Sequence, residues 1–352
     1  MLPLSIRVRA SLERRVVDSV FRVPRLVRRL ARRRSTEIDG NVLDPDLAAL
    51  LRLDDILSSS DTINLGPVRM RLRLKGQVKI VEASPPDGVT TRRLSIPGPA
   101  GALPARLYVP DGLDAPSAAI LFFHGGGFVG CDLDTHDTFC RRLALGAAAR
   151  LVAVDYRLAP EHPYPAAKDD AVAAFRWVAR EAGTLGIDPA RIAVAGDSAG
   201  GNLSAVVSQA TRGEDARPCL QALVYPALLA RREHPSQRKF EKGYFLTGKM
   251  IEWYYDQYAP DRATRLEPGV SPLLAEDLHG LPRALVYTAG FDPLRDEAHA
   301  YAERLAAAGV HVDTVCFGSL AHGFTLMTRA VPAARDATER IAREIGAALR
   351  AR

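Results

Sequence analysis

The stretch Gly196-Asp197-Ser198-Ala199-Gly200 decides the fold, because it joins a strand-like run, Arg191 to Ala195, to a helical pattern that begins at Ser198. A serine at such a sharp turn has strained backbone geometry, and flanking glycines leave room for it. Ser198 is therefore the candidate nucleophile. The N–H of Ala199, at the start of the helix, is a candidate donor to an oxyanion. A glycine-rich turn capped by serine is also a common structural device, so the motif needs partners elsewhere.

From about residue 76, short β-rich runs alternate with longer helical patterns. This alternation predicts an α/β fold in which a mostly parallel sheet is covered by helices on both faces. The predicted strands are Arg92 to Ile96, Ala105 to Val109, Ala119 to Phe123, Leu151 to Asp155, Ile192 to Ala195, Leu220 to Tyr225, Ala284 to Thr288 and Val312 to Phe317. Ala166 to Glu181 and Ala300 to Ala308 are predicted helices, and Gly309 is expected to cap the second.

The domain organisation follows from length and from one long connection. A chain of 352 residues suits one large α/β unit with a cap. Residues 227–282 are too long for a simple crossover and rich in Tyr and Trp, so we predict a cap insertion there. We expect residues 1–70 to form an N-terminal helical cap segment and residues 71–352 the catalytic domain. Both cap parts would cover the carboxyl edge of the sheet, where open α/β sheets bind ligands.

A glycine loop, His124-Gly125-Gly126-Gly127, follows the predicted strand Ala119 to Phe123. Consecutive glycines allow backbone N–H groups to approach a substrate closely. One well-placed oxyanion donor supplies about 3 kcal/mol of transition-state stabilisation. We therefore predict an oxyanion hole formed by the N–H groups of Gly126, Gly127 and Ala199.

Two alternatives for this region are less favoured. Gly125-x-Gly127-x-x-Gly130, with Asp155 after the next strand, also fits a dinucleotide-binding fingerprint, but a loop follows Gly130 and Ser198 would stay unexplained. Asp132, Asp134, His136 and Asp137 also suggest a metal site, but their spacing does not match a calcium loop. An acid-rich helix start explains them, and we predict no metal or cofactor.

A serine hydroxyl needs an imidazole as base and a carboxylate that orients the imidazole. Enzymes with this elbow place them in the chain order Ser, acid, His. Asp292 follows the strand Ala284 to Thr288, and His322 follows the last strand. We predict Asp292 as the acid and His322 as the base, because Asp296 is expected about one turn into the next helix.

Basic residues concentrate at the amino terminus, since residues 1–34 hold eleven arginines against Glu13 and Asp18 in a chain of net charge +6. Apolar residues from Ser11 to Arg34 recur at helical spacing, which predicts a basic amphipathic helix broken near Pro24. A cap helix with a solvated arginine face is the simplest interpretation. Peripheral membrane contact stays open, whereas nucleic-acid binding would need basic residues over a folded face.

A cytoplasmic location is expected. The opening residues lack the pattern of an export signal, because arginines interrupt them. The four cysteines have no Cys-x-x-Cys spacing, which is typical of reduced thiols: Cys131, Cys140, Cys219 and Cys316.

Together these motifs resemble the bacterial hormone-sensitive-lipase-like esterases of the α/β-hydrolase superfamily. The match includes Asp155 to Pro163, Asp292 to Asp296 and His322-Gly323-Phe324. The resemblance implies an eight-stranded α/β-hydrolase core with a helical cap. It also implies hydrolysis of short- to medium-chain acyl esters without a cofactor, and Asp155 to Pro163 as a buttress of the glycine loop.

The expected partner is a small-molecule acyl ester, and a homodimer is also compatible with the sequence. A non-catalytic ligand-binding protein of the same fold is the main alternative, with a nicotinamide-dependent oxidoreductase behind it. Turnover of p-nitrophenyl acetate would separate an esterase from the first, and a spectral change of added NAD(P)H would test the second.

Overall fold

The computed structural model describes residues 13, 15–17, 19–31, 37–57 and 65–351. Within these residues the main sheet has eight strands, as the resemblance implied, in the order β10-β9-β8-β7-β5-β6-β4-β3. Its strands are β3 (Val89–Gly98), β4 (Gly101–Pro110), β5 (Ser117–Phe123), β6 (Arg150–Val154), β7 (Ile187–Asp197), β8 (Leu220–Val224), β9 (Arg283–Phe291) and β10 (Val312–Ala321). Strand β4 runs antiparallel to both β3 and β6, and all other neighbours pair in parallel. A separate hairpin joins β1 (Glu37–Ile38) to β2 (Asn41–Val42).

Helices cover both faces of the sheet, as predicted. The central strand β5 is buried throughout, and its side chains alternate between two apolar clusters. Ile120 and Phe122 belong to one cluster, while Leu121 and Phe123 belong to the other. The first face carries α4 (Asp137–Ala147) and α10 (Pro332–Arg350), and the second carries α5 (Ala166–Arg180), α6 (Ala199–Ala210) and α9 (Arg295–Ala307).

Strands β9 and β10 extend beyond their predicted ends, to Phe291 and Ala321. Glycines interrupt the apolar pattern near both ends, which is why the sequence predicts shorter strands. The glycines are needed because the two strands approach closely here: a Cβ at Gly290 would collide with the backbone of Gly318. The extension brings the residues that follow each strand, Asp292 and His322, to the same edge of the sheet.

The amino-terminal region packs as helices. Residues 15–17 and 19–21 are helical, the helix breaks at Arg22 and Val23, and α1 spans Pro24–Ala31, so the predicted break is confirmed. The rest of the predicted Ser11 to Arg34 helix lies outside the described residues. Two further helices follow, α2 (Pro45–Leu57) and α3 (Gly66–Val81). Val17, Leu53 and Ile80 join this region in a small apolar cluster.

Residues 227–282 contain two helices, α7 (Pro235–Lys239) and α8 (Gly248–Tyr258). Helix α8 packs on the glycine loop, since the rings of Tyr258 and Phe128 stack with centroids 3.8 Å apart. The ends of the segment instead join the core, where Leu228 and Leu273 pack in the cluster that contains α9.

Candidate active site

The elbow has the strained geometry that the motif predicts. Ser198 lies between β7 and α6 with φ 54° and ψ −116°, a conformation that L-residues rarely adopt. Its N–H donates to the carbonyl oxygen of Val224 at 2.8 Å. A Cβ at Gly200 would collide with the carbonyl oxygen of Phe123, so only glycine allows α6 to begin this close to β5.

The three predicted residues form one hydrogen-bonded chain. Ser198 Oγ lies 3.0 Å from His322 Nε2. On the other side of the imidazole ring, His322 Nδ1 lies 2.8 Å from Asp292 Oδ2. If Nδ1 carries the proton and donates to the carboxylate, Nε2 is free to accept the proton of the serine. The arrangement can therefore activate Ser198 as a nucleophile.

The two carboxylates that follow β9 have different partners. Asp292 is fully buried, and its Oδ1 accepts a hydrogen bond from the Leu294 N–H at 2.8 Å. Asp296 is the second residue of α9, and it accepts from the Ser236 N–H at 2.8 Å and from the Arg295 guanidinium at 2.9 Å. The geometry thus places Asp292, not Asp296, against His322.

The glycine loop turns sharply beside Ser198. Gly126 and Gly127 have φ 113° and 62°, and both line the same cavity as Ser198 and His322. A Cβ at Gly127 would collide with the ring of Tyr254 on α8, so the loop is compressed between the elbow and that helix. Ala199 is the first residue of α6 and fully buried.

A buried ion pair that the sequence analysis did not identify supports this loop. Asp197 is 3% exposed, and its Oδ1 accepts from the Gly125 N–H at 2.9 Å. His136 Nε2 lies 3.2 Å from the same oxygen. Asp197 occupies the variable position of the G-x-S-x-G motif, which accepts many residue types. His136 lies among acidic residues, a pattern that suggests at most a metal site. Neither residue therefore carried a signal in the sequence.

Opposing effects set the protonation of this pair. Burial disfavours the charged form of each side chain, but their mutual attraction and hydrogen bond outweigh it. The pKa of His136 is raised and the pKa of Asp197 is lowered. The first residue of the glycine loop is therefore held by a carboxylate that stays charged.

His124 anchors the loop through its side chain. Its Nδ1 donates to the Gly125 carbonyl oxygen at 2.8 Å, and its ring stacks on Tyr156 with centroids 4.4 Å apart. Burial lowers the pKa of His124 to about 4, with a further contribution from His136, so the ring is neutral at pH 7.

The segment that follows β6 braces the loop from outside. The Tyr156 hydroxyl donates to the His124 carbonyl oxygen at 2.7 Å, and the Ala159 N–H donates to that of Phe128 at 2.9 Å. Arg71 on α3 donates to the carbonyl oxygens of Val129 and Ala159 at 2.6 and 2.8 Å. These contacts agree with the buttress that the resemblance implied.

A cavity of about 780 Å³ opens beside the serine. Its walls come from α2, α3 and α8 as well as from the elbow and the glycine loop. The apolar residues of these walls include Val17, Leu50, Leu53, Leu74, Val78, Ile80, Val81, Leu246, Met250, Ile251, Leu326 and Met327. The volume is in the usual range for sites that enclose a small organic molecule, and the lining favours apolar groups.

The structure differs from what the two alternative interpretations of the loop region, dinucleotide binding and metal binding, would require. Helix α4 begins at Asp137, well after Gly130, so no helix opens within the fingerprint itself as a pyrophosphate site requires. The nearby acids form ion pairs instead: Asp132 with Lys75, and Asp134 with Lys75 and Arg106. Among the described residues, no cluster of His, Cys, Asp or Glu is placed to hold a metal ion.

Comparison with known proteins identifies the class. The alpha/beta hydrolase fold family matches residues 120–326, and the chain belongs to this family.

Named relatives are esterases. The carboxylic ester hydrolase LipN of Mycobacterium tuberculosis is 46% identical over 306 residues, which cover 83% of this chain and 79% of LipN. The ethyl acetate hydrolase of Pseudomonas putida is 38% identical over 295 residues, covering 81% and 92%. An ester hydrolase from the Lake Arreo metagenome, solved with a bipyridine phosphonate derivative, superposes with a TM-score of 0.84 at 40% identity. That superposition covers 87% of this chain and 98% of the solved one.

Within the part of the chain that the structure describes, no helix has the length and apolar content needed to cross a bilayer.

Proposed function

We propose that Ser198, His322 and Asp292 are the catalytic triad of this enzyme, and that it cleaves short- to medium-chain acyl esters through an acyl-enzyme intermediate. The chain is a carboxylic ester hydrolase of the serine type. The observation that carries the triad is the continuous chain of hydrogen bonds from Ser198 Oγ through His322 to Asp292 at the cavity wall.

The proposed reaction has two halves. His322 Nε2 takes the proton of Ser198 as Oγ bonds to the ester carbonyl carbon, and the imidazolium then gives that proton to the leaving alcohol. In the second half, water gives a proton to His322 and attacks the acyl-enzyme. The carboxylic acid leaves and Ser198 regains its proton. Asp292 holds the imidazole in the required tautomer and stabilises its charged form.

The oxyanion formed in each half needs donors that are already in place. We assign this role to the N–H groups of Gly126, Gly127 and Ala199. The strained turn at Ser198 and the bracing of the glycine loop support the assignment, because preorganised donors need no rearrangement when charge develops.

We assign the acyl and alcohol groups of the substrate to the apolar cavity. Residues 1–70 and the helices within about residues 227–282 would act as the cap that encloses it. The contribution of Val17, Leu53, Leu246 and Ile251 to the walls supports this division. We expect kcat/KM to peak at short to medium acyl chains and to fall for long-chain triglyceride emulsions, because a cavity of about 780 Å³ has the size that encloses a small organic molecule.

The cytoplasm is the proposed location. Cys131, Cys140 and Cys316 are free thiols, and Cys140 is buried, which suits a reducing compartment. The homodimer compatible with the sequence stays a prediction.

The proposal is tested with Ser198→Ala and with Ser204→Ala as matched control. Ser204 lies in α6, the helix that begins directly after Ser198, and its hydroxyl donates to the Gly200 carbonyl oxygen at 2.9 Å. On p-nitrophenyl butyrate, Ser198→Ala should lose at least about 10³-fold in kcat, because the triad acts as a unit, while Ser204→Ala stays near wild type. A p-nitrophenyl alkylphosphonate should add one phosphonyl group to the wild type and none to Ser198→Ala. Equal labelling of both proteins would exclude Ser198 as nucleophile.

A further inference from the structure

The amino-terminal helices present an exposed surface that the ester-hydrolase chemistry does not use. The exposed side chains of residues 15–29 lie along one side of the amino-terminal helices. We call them the N-terminal face: Arg15, Val16, Ser19, Arg22, Val23, Arg25, Leu26 and Arg29. Val16, Val23 and Leu26 are 41%, 42% and 42% exposed, so large apolar side chains lie between the arginines on this face.

The opposite side of the same helices is fixed to the enzyme. Val17, Val27 and Ala31 are 5%, 7% and 5% exposed. Val17 packs with Leu53 and Ile80, and all three line the cavity that contains Ser198. The inner side therefore forms part of the cavity wall, while the outer side is open.

The chemistry of the N-terminal face points to one occupant. We propose that it docks on an anionic lipid surface, with the arginines at the phosphate groups and Val16, Val23 and Leu26 in the outer acyl region. Basic residues around exposed apolar side chains on a helix favour this interfacial position. Nucleic acid would not require the apolar side chains. A second copy of the chain would bring like charges together.

Docking would place the cavity beside the lipid. Val17, on the inner side of the docked helices, lies in the wall of that cavity. The docking itself does not depend on the proposed ester hydrolysis. Binding is therefore measured without substrate, so that failure of either proposal is recognised separately.

The experiment is sedimentation of the full chain with vesicles of phosphatidylcholine alone or mixed with phosphatidylglycerol. The test variant removes four charges from the face: Arg15→Gln, Arg22→Gln, Arg25→Gln and Arg29→Gln. The matched control removes four exposed arginines elsewhere: Arg92→Gln, Arg93→Gln, Arg238→Gln and Arg343→Gln. A third variant removes the apolar contacts and keeps the charges: Val16→Ser, Val23→Ser and Leu26→Ser.

Wild type and control should bind the anionic vesicles, and binding should weaken when salt rises from about 0.1 M to about 0.5 M. The test variant should lose about tenfold or more in partition coefficient, since each arginine near an anionic surface contributes separately. The apolar variant should also bind less. All four proteins should hydrolyse soluble p-nitrophenyl acetate equally.

Three results would overturn the proposal: no preference of the wild type for anionic vesicles, an equal loss in the control, or unchanged binding of the apolar variant. If the test variant instead lost a dimer seen by light scattering, or lost binding to a DNA duplex while vesicle binding stayed, the face would serve another partner.

Discussion

Two aspartates of similar sequence context have separate contacts. Asp292 follows β9 directly and faces His322, whereas Asp296 holds Ser236 at the start of α7. The difference arises because a loop residue can be directed toward a neighbouring loop, while a residue in a helix is held by helical geometry.

Substitution of each aspartate by asparagine tests whether Asp292 or Asp296 is the acid that orients the imidazole. Asp292→Asn should lower kcat by roughly 10³ to 10⁴, because the amide favours the wrong imidazole tautomer. Asp296→Asn should cost far less in kcat, although it weakens the contact with α7. Steady-state kinetics on p-nitrophenyl butyrate, with circular dichroism as a check of folding, measure both. The reverse order of the two kcat values would contradict the assignment of Asp292.

The His136 and Asp197 pair predicts a pH-dependent contribution to stability. The pKa of His136 is raised in the folded protein, so its stabilising contribution is complete below the unfolded value of 6.5 and decreases as pH rises through the folded value. Burial opposes the charged ring, while Asp197, Glu82 and Asp132 favour it.

Thermal unfolding of wild type and His136→Gln should show this dependence. The wild type should exceed the variant in Tm most at about pH 6, and the gap should narrow toward about pH 9. A gap that widens with pH would mean that His136 is neutral in the folded protein. The variant should also lose kcat on p-nitrophenyl butyrate, because Asp197 holds the glycine loop.

At the scale of single residues, the sequence predicts the site residues that belong to a motif or that directly follow a strand. Ser198, Asp292 and His322 carry such signals and come together as predicted. The contact of Asp197 with His136 has no such signal, because it joins the end of β7 to the start of α4, which is distant in sequence, through side chains with many other uses.

Among the elements, the glycine loop depends most on its neighbours. The elbow and α8 compress it, and the turn at Gly127 has a positive φ of 62°. A side chain there would strain the backbone and push Tyr254 away, which would move the proposed oxyanion donors.

Gly127→Ala should therefore lower kcat by roughly 10² or more, the cost of losing one oxyanion donor. Gly213→Ala is the matched control, because a Cβ at that exposed glycine meets no atom within 4 Å. The control should keep wild-type kcat and Tm. Near-normal kcat in Gly127→Ala would show that the loop tolerates a side chain and would weaken its assignment to the oxyanion hole.

Element boundaries were predicted less well than element types. Helix α9 begins at Arg295, whereas the sequence predicts it only from Ala300. The prediction starts too late because the charged residues of the first turn interrupt the apolar periodicity. Gly309, with φ 76°, does follow the end of α9 as predicted. Close approach of two backbones, as between Gly290 and Gly318, cannot be deduced from either strand alone.

For the molecule as a whole, the cavity unites segments from both halves of the chain. Val17, from the amino-terminal helices, lines the same space as His322. Apolar periodicity predicted a helix there, but which side would face the cavity depends on packing against Leu53 and Ile80. This part of the cavity wall is therefore shaped by contacts that no sequence motif indicates.

Val17→Trp, with its neighbour Val16→Trp as control, tests this role of the amino-terminal helices. Val17 is 5% exposed and lines the cavity, whereas Val16 is 41% exposed. Val17→Trp should reduce kcat/KM for p-nitrophenyl decanoate relative to acetate by about tenfold or more, because the indole fills acyl space. Val16→Trp should keep the wild-type ratio. If the ratio of kcat/KM for decanoate to kcat/KM for acetate were equal in the two variants, the result would contradict a role of residues 1–34 in substrate selection.

The parallel pairing of β9 with β10 also has a consequence for synthesis. During translation the elbow leaves the ribosome long before β10, and Asp292 and His322 meet only when both strands have emerged. A nascent chain that stops before residue 322 would display its serine without a base. Hydrolysis by the proposed triad therefore requires that translation has passed the last strand of the sheet.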